Sequence, residues 1–235
     1  MDSEGISDIR RKRLTAIVGH YGSGKSNYSI NLALDLAESG RKVILMDLDL
    51  VNPYFLSSGY EKILNEKGIQ VIAPMFANTN VETPALPAEM NIVFETDHDV
   101  VMDVGGDDAG SVVLGRFREQ LSSIDYEMIY VINHYRNLTM EAKEAAEVLR
   151  EIEAASRCRA TSVLANSHLK WETKWETIEE ALPYAIETAR ELNLPLKAVT
   201  IPKFLTKDDR VRKHMEETDI PWYPVEIYVK APWES

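Results

Sequence analysis

Gly19-His20-Tyr21-Gly22-Ser23-Gly24-Lys25-Ser26 is the stretch on which the reading of this chain turns. It fits G-x-x-x-x-G-K-[ST], a pattern in which each part has a task at a phosphate chain. The glycines let the backbone turn tightly and bring successive N–H groups against phosphate oxygens, where a Cβ would obstruct. The Lys25 ammonium reaches the β- and γ-phosphates, and the Ser26 hydroxyl ligates Mg²⁺. The helix that starts there, with Asn27 in its first turn, adds the positive end of its dipole.

Context separates this reading from a chance glycine-rich turn. Leu14-Thr15-Ala16-Ile17-Val18 precedes the loop and reads as a buried strand. Ile30, Leu32, Ala33, Leu34, Leu36 and Ala37 follow at helical spacing, and Gly40 supplies a stop. Strand, glycine loop and helix is the order the chemistry requires.

Further along, Lys42 to Asp49 is an apolar run ending in the acids Asp47 and Asp49. It predicts a buried parallel strand with both carboxylates at its ligand-facing end. Ile69 to Ala73 predicts another short strand. Pro74 to Pro87 reads as a long loop, a lid or contact surface on one reading and an irregular connector on the other. Asp99 to Met102 leads into Asp103-Val104-Gly105-Gly106. There Asp103 would hold Mg²⁺, directly or through water, and Gly106 would offer its N–H to the γ-phosphate. Strands are predicted at Met128–Ile132, Thr161–Ala165 and Ala198–Ile201, with an edge strand at Val225–Val229. Helical spacing runs from Glu141 to Ile152, and again from Trp175 to Ala189 with a start or kink at Pro183. The alternation predicts a single α/β domain over residues 1–235, a doubly wound and mostly parallel sheet with helices on both faces. Residues 1–13 read as a flexible or peripheral segment, and Arg10 to Arg13 as a solvated charge run.

The chain has 235 residues, one cysteine and a formal net charge of −12. Cys158 alone excludes an intramolecular disulfide framework. The acidic balance disfavours broad nucleic-acid binding. No signal-peptide core or membrane span is legible, so the chain is expected to be cytoplasmic.

The glycine loop, the Asp47-Leu48-Asp49 strand end and the Val100 to Gly106 segment resemble the MinD/ParA/CobQ nucleotide-binding superfamily, within the SIMIBI class of P-loop proteins. The similarity covers about Leu14 to Leu205. It implies a slow ATPase acting as a nucleotide switch, with ATP and Mg²⁺ as cofactors and a protein partner or homodimer. It places Asp49 on the attacking water and among the metal ligands with Ser26 and Asp103, and Asp47 beside them. Lys25, Asp47 and Asp49 are then the expected catalytic residues. It puts Asn166 at the nucleotide base and Pro202 in the wall of that pocket, with Asn133 a second candidate. One position departs: many relatives carry a lysine after the first glycine, where this chain has His20, so a lysine acting across a dimer is not available here. Val229 to Ser235 is also too short, and holds too little positive charge, for a basic membrane helix.

Neither Asn133-His134-Tyr135-Arg136 nor Asn166-Ser167-His168-Leu169 has the acid of the guanine-reading Asn/Thr-Lys-x-Asp motif, which favours ATP. The alternatives are a small-molecule kinase or ligase, with Asn78–Thr83 as acceptor lip and Arg116 and Arg118 as a phosphoryl clamp. A GTPase metallochaperone would want clustered histidines and thiols, whereas the histidines are scattered. A binding module without turnover is the remaining reading.

Overall fold

The computed structural model describes residues 12–49, 60–73, 88–106 and 108–229. In chain order the elements are β1 (Leu14–Val18), α1 (Lys25–Glu38), β2 (Val43–Leu48), α2 (Tyr60–Glu66), β3 (Ile69–Ile72), α3 (Ile92–Glu95) and β4 (Asp99–Val104). There follow α4 (Asp108–Gly115), α5 (Arg118–Ser122), β5 (Tyr126–Ile132), α6 (Ala142–Ser156) and β6 (Ser162–Ala165). The chain continues through α7 (Trp175–Glu191), β7 (Leu196–Pro202), α8 (Asp209–Glu217) and β8 (Trp222–Val225). The strands form one eight-stranded sheet in the order β3-β2-β4-β1-β5-β6-β7-β8, and each neighbouring pair is parallel.

Side chains alternate across a strand, so each strand feeds two layers. Leu14, Ala16 and Val18 of β1 and Ile44, Met46 and Leu48 of β2 pack with Ala145 and Leu149 of α6 and Ile178 and Tyr184 of α7. Ile17, Val43 and Leu45 face the other way, onto Tyr28, Ile30, Leu32, Ala33 and Leu36 of α1. With both faces covered, strands read as continuous apolar runs rather than alternating ones. The doubly wound sheet expected from the sequence is the observed fold. The chain leaves β1 for β2 on one side and arrives at β5 on the other. The carboxyl end of β1 is therefore the switch point, where open α/β sheets bind ligands.

Three local expectations are corrected. The last strand is Trp222–Val225, not Val225–Val229. It includes Pro224, which is tolerated because β8 lies at the edge of the sheet. Beyond Val225 the backbone hydrogen-bonds to asparagine side chains of α1 instead of a strand. The second correction is at Pro183, which does not start its helix: α7 runs from Trp175 through it. Pro183 and Glu179, whose carbonyl has no helical N–H at Pro183 to bond, both lie on the exposed side of the helix, open to solvent. Finally, the basic run is not simply solvated. Lys12 pairs with Asp125, and Arg13 Nη1 donates to Val93 O (2.9 Å) and His98 O (3.2 Å). Arg10 and Arg11, like the Pro74–Pro87 loop with its Asn78–Thr83 lip, lie outside the described residues.

Cys158 is 4% exposed and burial pushes its thiol pKa up, the behaviour of a packing residue rather than a nucleophile.

Candidate phosphate-binding site

The glycine loop joins β1 to α1 at that switch point. Gly24 is the N-cap of α1, with φ 96° and ψ 19°. Its conformation is left-handed, and a Cβ there would come within 2.0 Å of Asn166 Nδ2. Glycine is required on both counts. The first helical hydrogen bond of the loop runs from Tyr28 N–H to Gly24 O (3.0 Å). The N–H groups of Lys25, Ser26 and Asn27 thus have no acceptor within the helix and form an anion-seeking helix start.

The side chains converge on the same place. Lys25, only 7% exposed, bends back so that Nζ donates to His20 O at 3.1 Å. Ser26 Oγ donates to Asp103 Oδ2 (2.6 Å), and Ser29 Oγ, one turn on, donates to Asp103 Oδ1 (3.0 Å). Asp103 is 2% exposed, and burial pushes its carboxyl up to about 6 against the opposing pull of Ser26, Lys25 and Ser29. Asp47 stands opposite it in the β2–β4 register. Asp47 is fully buried, and its Oδ1 accepts the Asp49 N–H (2.9 Å). That bond turns the chain at the strand end and leaves Asp49 half-buried at the edge of the site.

Gly106 lies against the loop. A Cβ on it would sit 2.6 Å from Tyr21 N and 2.7 Å from Lys25 Nζ. Only a glycine admits that approach. Its neighbour Gly105 is packed backbone to backbone under α4, where a Cβ on Gly110 would meet Gly105 O at 2.5 Å.

The structure gives Asn166 partners inside the protein: Nδ2 donates to Ser23 O (2.7 Å), and Oδ1 accepts from Thr200 Oγ1 (2.6 Å). The amide is a strut beneath the loop, and any base contact would share it. Pro202 closes β7 at the same edge and is buried. Asn133 is 2% exposed and folds its Oδ1 onto Tyr135 N–H (2.9 Å). The side chain of Asn27 points away from the loop, to the segment after β8. Burial first, and the Lys25 charge second, lower the pKa of His20, so it stays neutral near pH 7 and supplies no permanent cation.

Arg136 was not among the expected site residues. It comes from the loop after β5, and its Nε donates to Gly22 O at 2.8 Å. The spacing from the glycine loop spans more than a hundred residues, so no local signal could reveal it. Arg118 of the proposed phosphoryl clamp acts electrostatically on Cys158, before β6 at the amino edge of the sheet. It is thus remote from the loop at the carboxyl edge.

The donor set fits a Mg·nucleotide. Hard oxygens of Ser26 and Asp103 suit Mg²⁺, which takes one or two carboxylates plus phosphates. The hydroxyl of Ser23 is buried within the loop without a partner. Among the described residues no group of three or more His, Cys, Asp or Glu could hold a metal on its own. No helix there is long and apolar enough to cross a membrane.

The sheet and loop define an α/β fold of the P-loop nucleotide-hydrolase type, and solved structures agree. Chloroplast FtsY from Physcomitrella patens superposes with a TM-score of 0.55 at 20% identity, over 82% of this chain and 59% of its own. The signal recognition particle 54 kDa protein from Aeropyrum pernix K1, in complex with GDP, gives 0.53 at 16% identity over 83% and 42%. The receptor FtsY from Elizabethkingia anophelis, also with GDP, gives 0.50 at 16% over 83% and 59%. The chain thus spans about three fifths or less of these proteins. No protein-family profile matches the sequence, and no curated protein matches it.

Proposed function

We propose that this chain is a Mg²⁺-dependent nucleoside triphosphatase, with ATP its favoured substrate, that acts as a nucleotide switch for a protein partner. The observation that carries the reading is the convergence of Lys25, Ser26 and Asp103 on one helix start, with Gly106 within touching distance of the Lys25 ammonium.

The geometry supports the following roles. The helix-start N–H groups and Lys25 neutralise the phosphate chain and the charge that builds on it during transfer. Ser26 and Asp103 would hold Mg²⁺, which would supply positive charge to offset the negative charge of the phosphates. Asp49, at the edge of the site, orients water, while buried Asp47 fixes the backbone that presents it. Gly106 approaches Lys25 closely enough for its N–H to report whether a terminal phosphate is present. Arg136, lying over Gly22, adds a cation of this chain's own on the side where His20 gives none.

Adenine is favoured because neither the loop after β5 nor that after β6 offers a carboxylate in its first four residues. The partner reading is supported by the rim of the site, where Tyr21, Leu138, Met140, Leu169 and Trp171 are exposed at one edge of the sheet. A second copy of the chain is a candidate partner. The kinase reading loses one arm of its clamp with Arg118.

The test is phosphate release from Mg·ATP and Mg·GTP by the wild type beside Lys25→Ala. Slow release from ATP, reduced at least about a hundredfold in the variant, is the expected result. Preferential turnover of GTP would reverse the base assignment. Binding with no turnover of either would remove the hydrolase claim.

A further inference from the structure

Asn27 and Asn31 sit one turn apart on α1, 6% and 3% exposed. Their amides serve the chain that follows β8. Both Nδ2 groups donate to Glu226 O, at 3.0 and 2.9 Å. Asn31 Oδ1 accepts the Glu226 N–H (2.8 Å). Asn27 Oδ1 accepts from Tyr228 N–H (2.8 Å) and Val229 N–H (3.3 Å). Asn31 Nδ2 also donates to Asn27 O (2.7 Å), tying the two positions together.

The side chains of this segment reinforce the attachment. Ile227 is buried in the core at 8% exposure. The Tyr228 ring meets Tyr60 of α2 edge-on at 6.2 Å, and Tyr223 of β8 meets Tyr28 of α1 at 5.3 Å. The Tyr223 hydroxyl donates to Asp35, further along the same helix. Glu226–Val229 is therefore a strap laid along the helix whose first residues are Lys25 and Ser26.

Asn27 has two jobs at once. Its backbone N–H belongs to the first turn, among the groups that have no acceptor within the helix. Its side chain grips the strap. An asparagine so near a helix start ordinarily competes for those same backbone donors. Here the strap occupies its amide, and the N–H groups stay aimed at the phosphate position.

We propose that the Glu226–Val229 strap is a positioning element of the phosphate site, coupled to nucleotide binding through Asn27 and Asn31. This rests on the nucleotide reading above. Coupling of this kind is reciprocal: if the attached strap favours nucleotide, bound nucleotide favours the attached strap by the same factor.

Hydrogen exchange on the full chain, with and without saturating Mg·ATP or Mg·GTP, tests it. The Glu226, Tyr228 and Val229 amides should slow about fivefold on binding, a coupling at the low end of those measured between linked sites. That slowing must exceed any at the distant amides of α7, which separates coupling from general stabilisation. In Asn31→Ala and in Glu226→Pro, which removes the strap N–H facing Asn31 along with the exposed Glu226 side chain and fixes φ there, nucleotide affinity should weaken by about the same factor. Helical circular dichroism should stay unchanged. Lys25→Ala, lacking nucleotide, should show no ligand effect on the strap.

Strap amides that slow no more than those of α7, or variants whose affinity stays within twofold, would overturn the proposal while the nucleotide reading stands. Should a variant fail to fold, the wild-type exchange comparison decides alone. A wild-type chain that binds neither nucleotide takes both readings down together.

Discussion

On the side formed by β1, β2 and β4, the carboxyl edge of the sheet ends in buried carboxylates held by hydroxyls and a backbone N–H. Asp103 is fixed by Ser26 and Ser29, and Asp47 by the backbone of Asp49. On the side formed by β5, β6 and β7, the same edge ends in loops whose exposed members mix apolar residues, Leu138, Met140, Leu169 and Trp171, with polar ones such as Arg136 and Glu172. Those loops hold Leu138 and Lys170 at φ 67° and 53°, in the left-handed region that non-glycine residues avoid. They are tied by side-chain-to-backbone bonds such as His134 N–H to Ser167 Oγ (3.0 Å) and Leu169 N–H to Thr173 Oγ1 (2.8 Å). Trp171 stacks on Phe204 at 5.9 Å, so the loops after β6 and β7 lean on each other. The difference teaches where specificity sits. On the proposed function the first side would handle phosphate, which every nucleotide has, and needs fixed charge. The second, on the same reading, would tell base and partner apart, and it is built largely from packing.

The sharpest way to break this contrast is at its seam, Gly24. An alanine there faces a left-handed φ of 96° and a Cβ 2.0 Å from Asn166 Nδ2. The backbone penalty is roughly 1–2 kcal/mol. Displacing a buried amide from Ser23 O adds about 1–3 kcal/mol. Gly24→Ala should therefore lower unfolding free energy by about 2–5 kcal/mol in denaturant titration. The loss of ordered loop N–H groups should abolish nucleotide binding. Wild-type stability in this variant would mean that the two sides are not joined through Asn166.

Gly106→Ala acts on the first side alone. The added methyl meets the Tyr21 backbone, which cannot yield, as well as the flexible end of Lys25. The peptide must draw back from the terminal phosphate position while the cradle for the inner phosphates stays intact. Turnover should fall by something like a hundredfold, the scale of losing one donor to the transition state. Affinity for the diphosphate should barely change. Equal losses for diphosphate and triphosphate would show that Gly106 shapes the loop rather than sensing the last phosphate.

The same contrast explains what could be read from the sequence. The phosphate side is local: Gly19 to Ser26 lie in one run, and the acids Asp47 and Asp103 end apolar strands whose hydrophobicity announces them. Burial on both faces makes such strands conspicuous, so the parallel sheet was legible almost throughout. The contacts that brace the loop and α1 are not local. Arg136 on Gly22, Asn166 beneath Ser23 and the strap on Asn27 each join residues more than a hundred positions apart. Their residue types are ordinary for loops, and nothing in spacing or periodicity marks them. The last strand was misplaced for a related reason: the alternation of Val225 to Val229 marks a strand only if a neighbour pairs with it, and here asparagine side chains of α1 take that backbone instead.

His168 measures how tightly that second side is packed. It is 7% exposed, its Nδ1 accepts the Lys170 N–H (3.3 Å), and its Nε2 is buried without a partner. Burial, and secondarily the charge of Arg136, lower its pKa to about 4 from the ordinary value of 6.5. The folded protein therefore keeps the ring neutral where the unfolded chain takes up a proton. Stability from this residue is fully present above pH 6.5 and is lost as the pH falls towards 4. Between pH 7 and pH 5 the loss should be about 2 kcal/mol, from a shift weighed at ~1.4 kcal/mol per unit. His168→Gln has nothing to titrate, so the difference in unfolding free energy between pH 7 and pH 5 should shrink by that amount. An unchanged difference would mean that acid reaches the imidazole in the folded state, and that the loop after β6 opens to water far more readily than the phosphate side does.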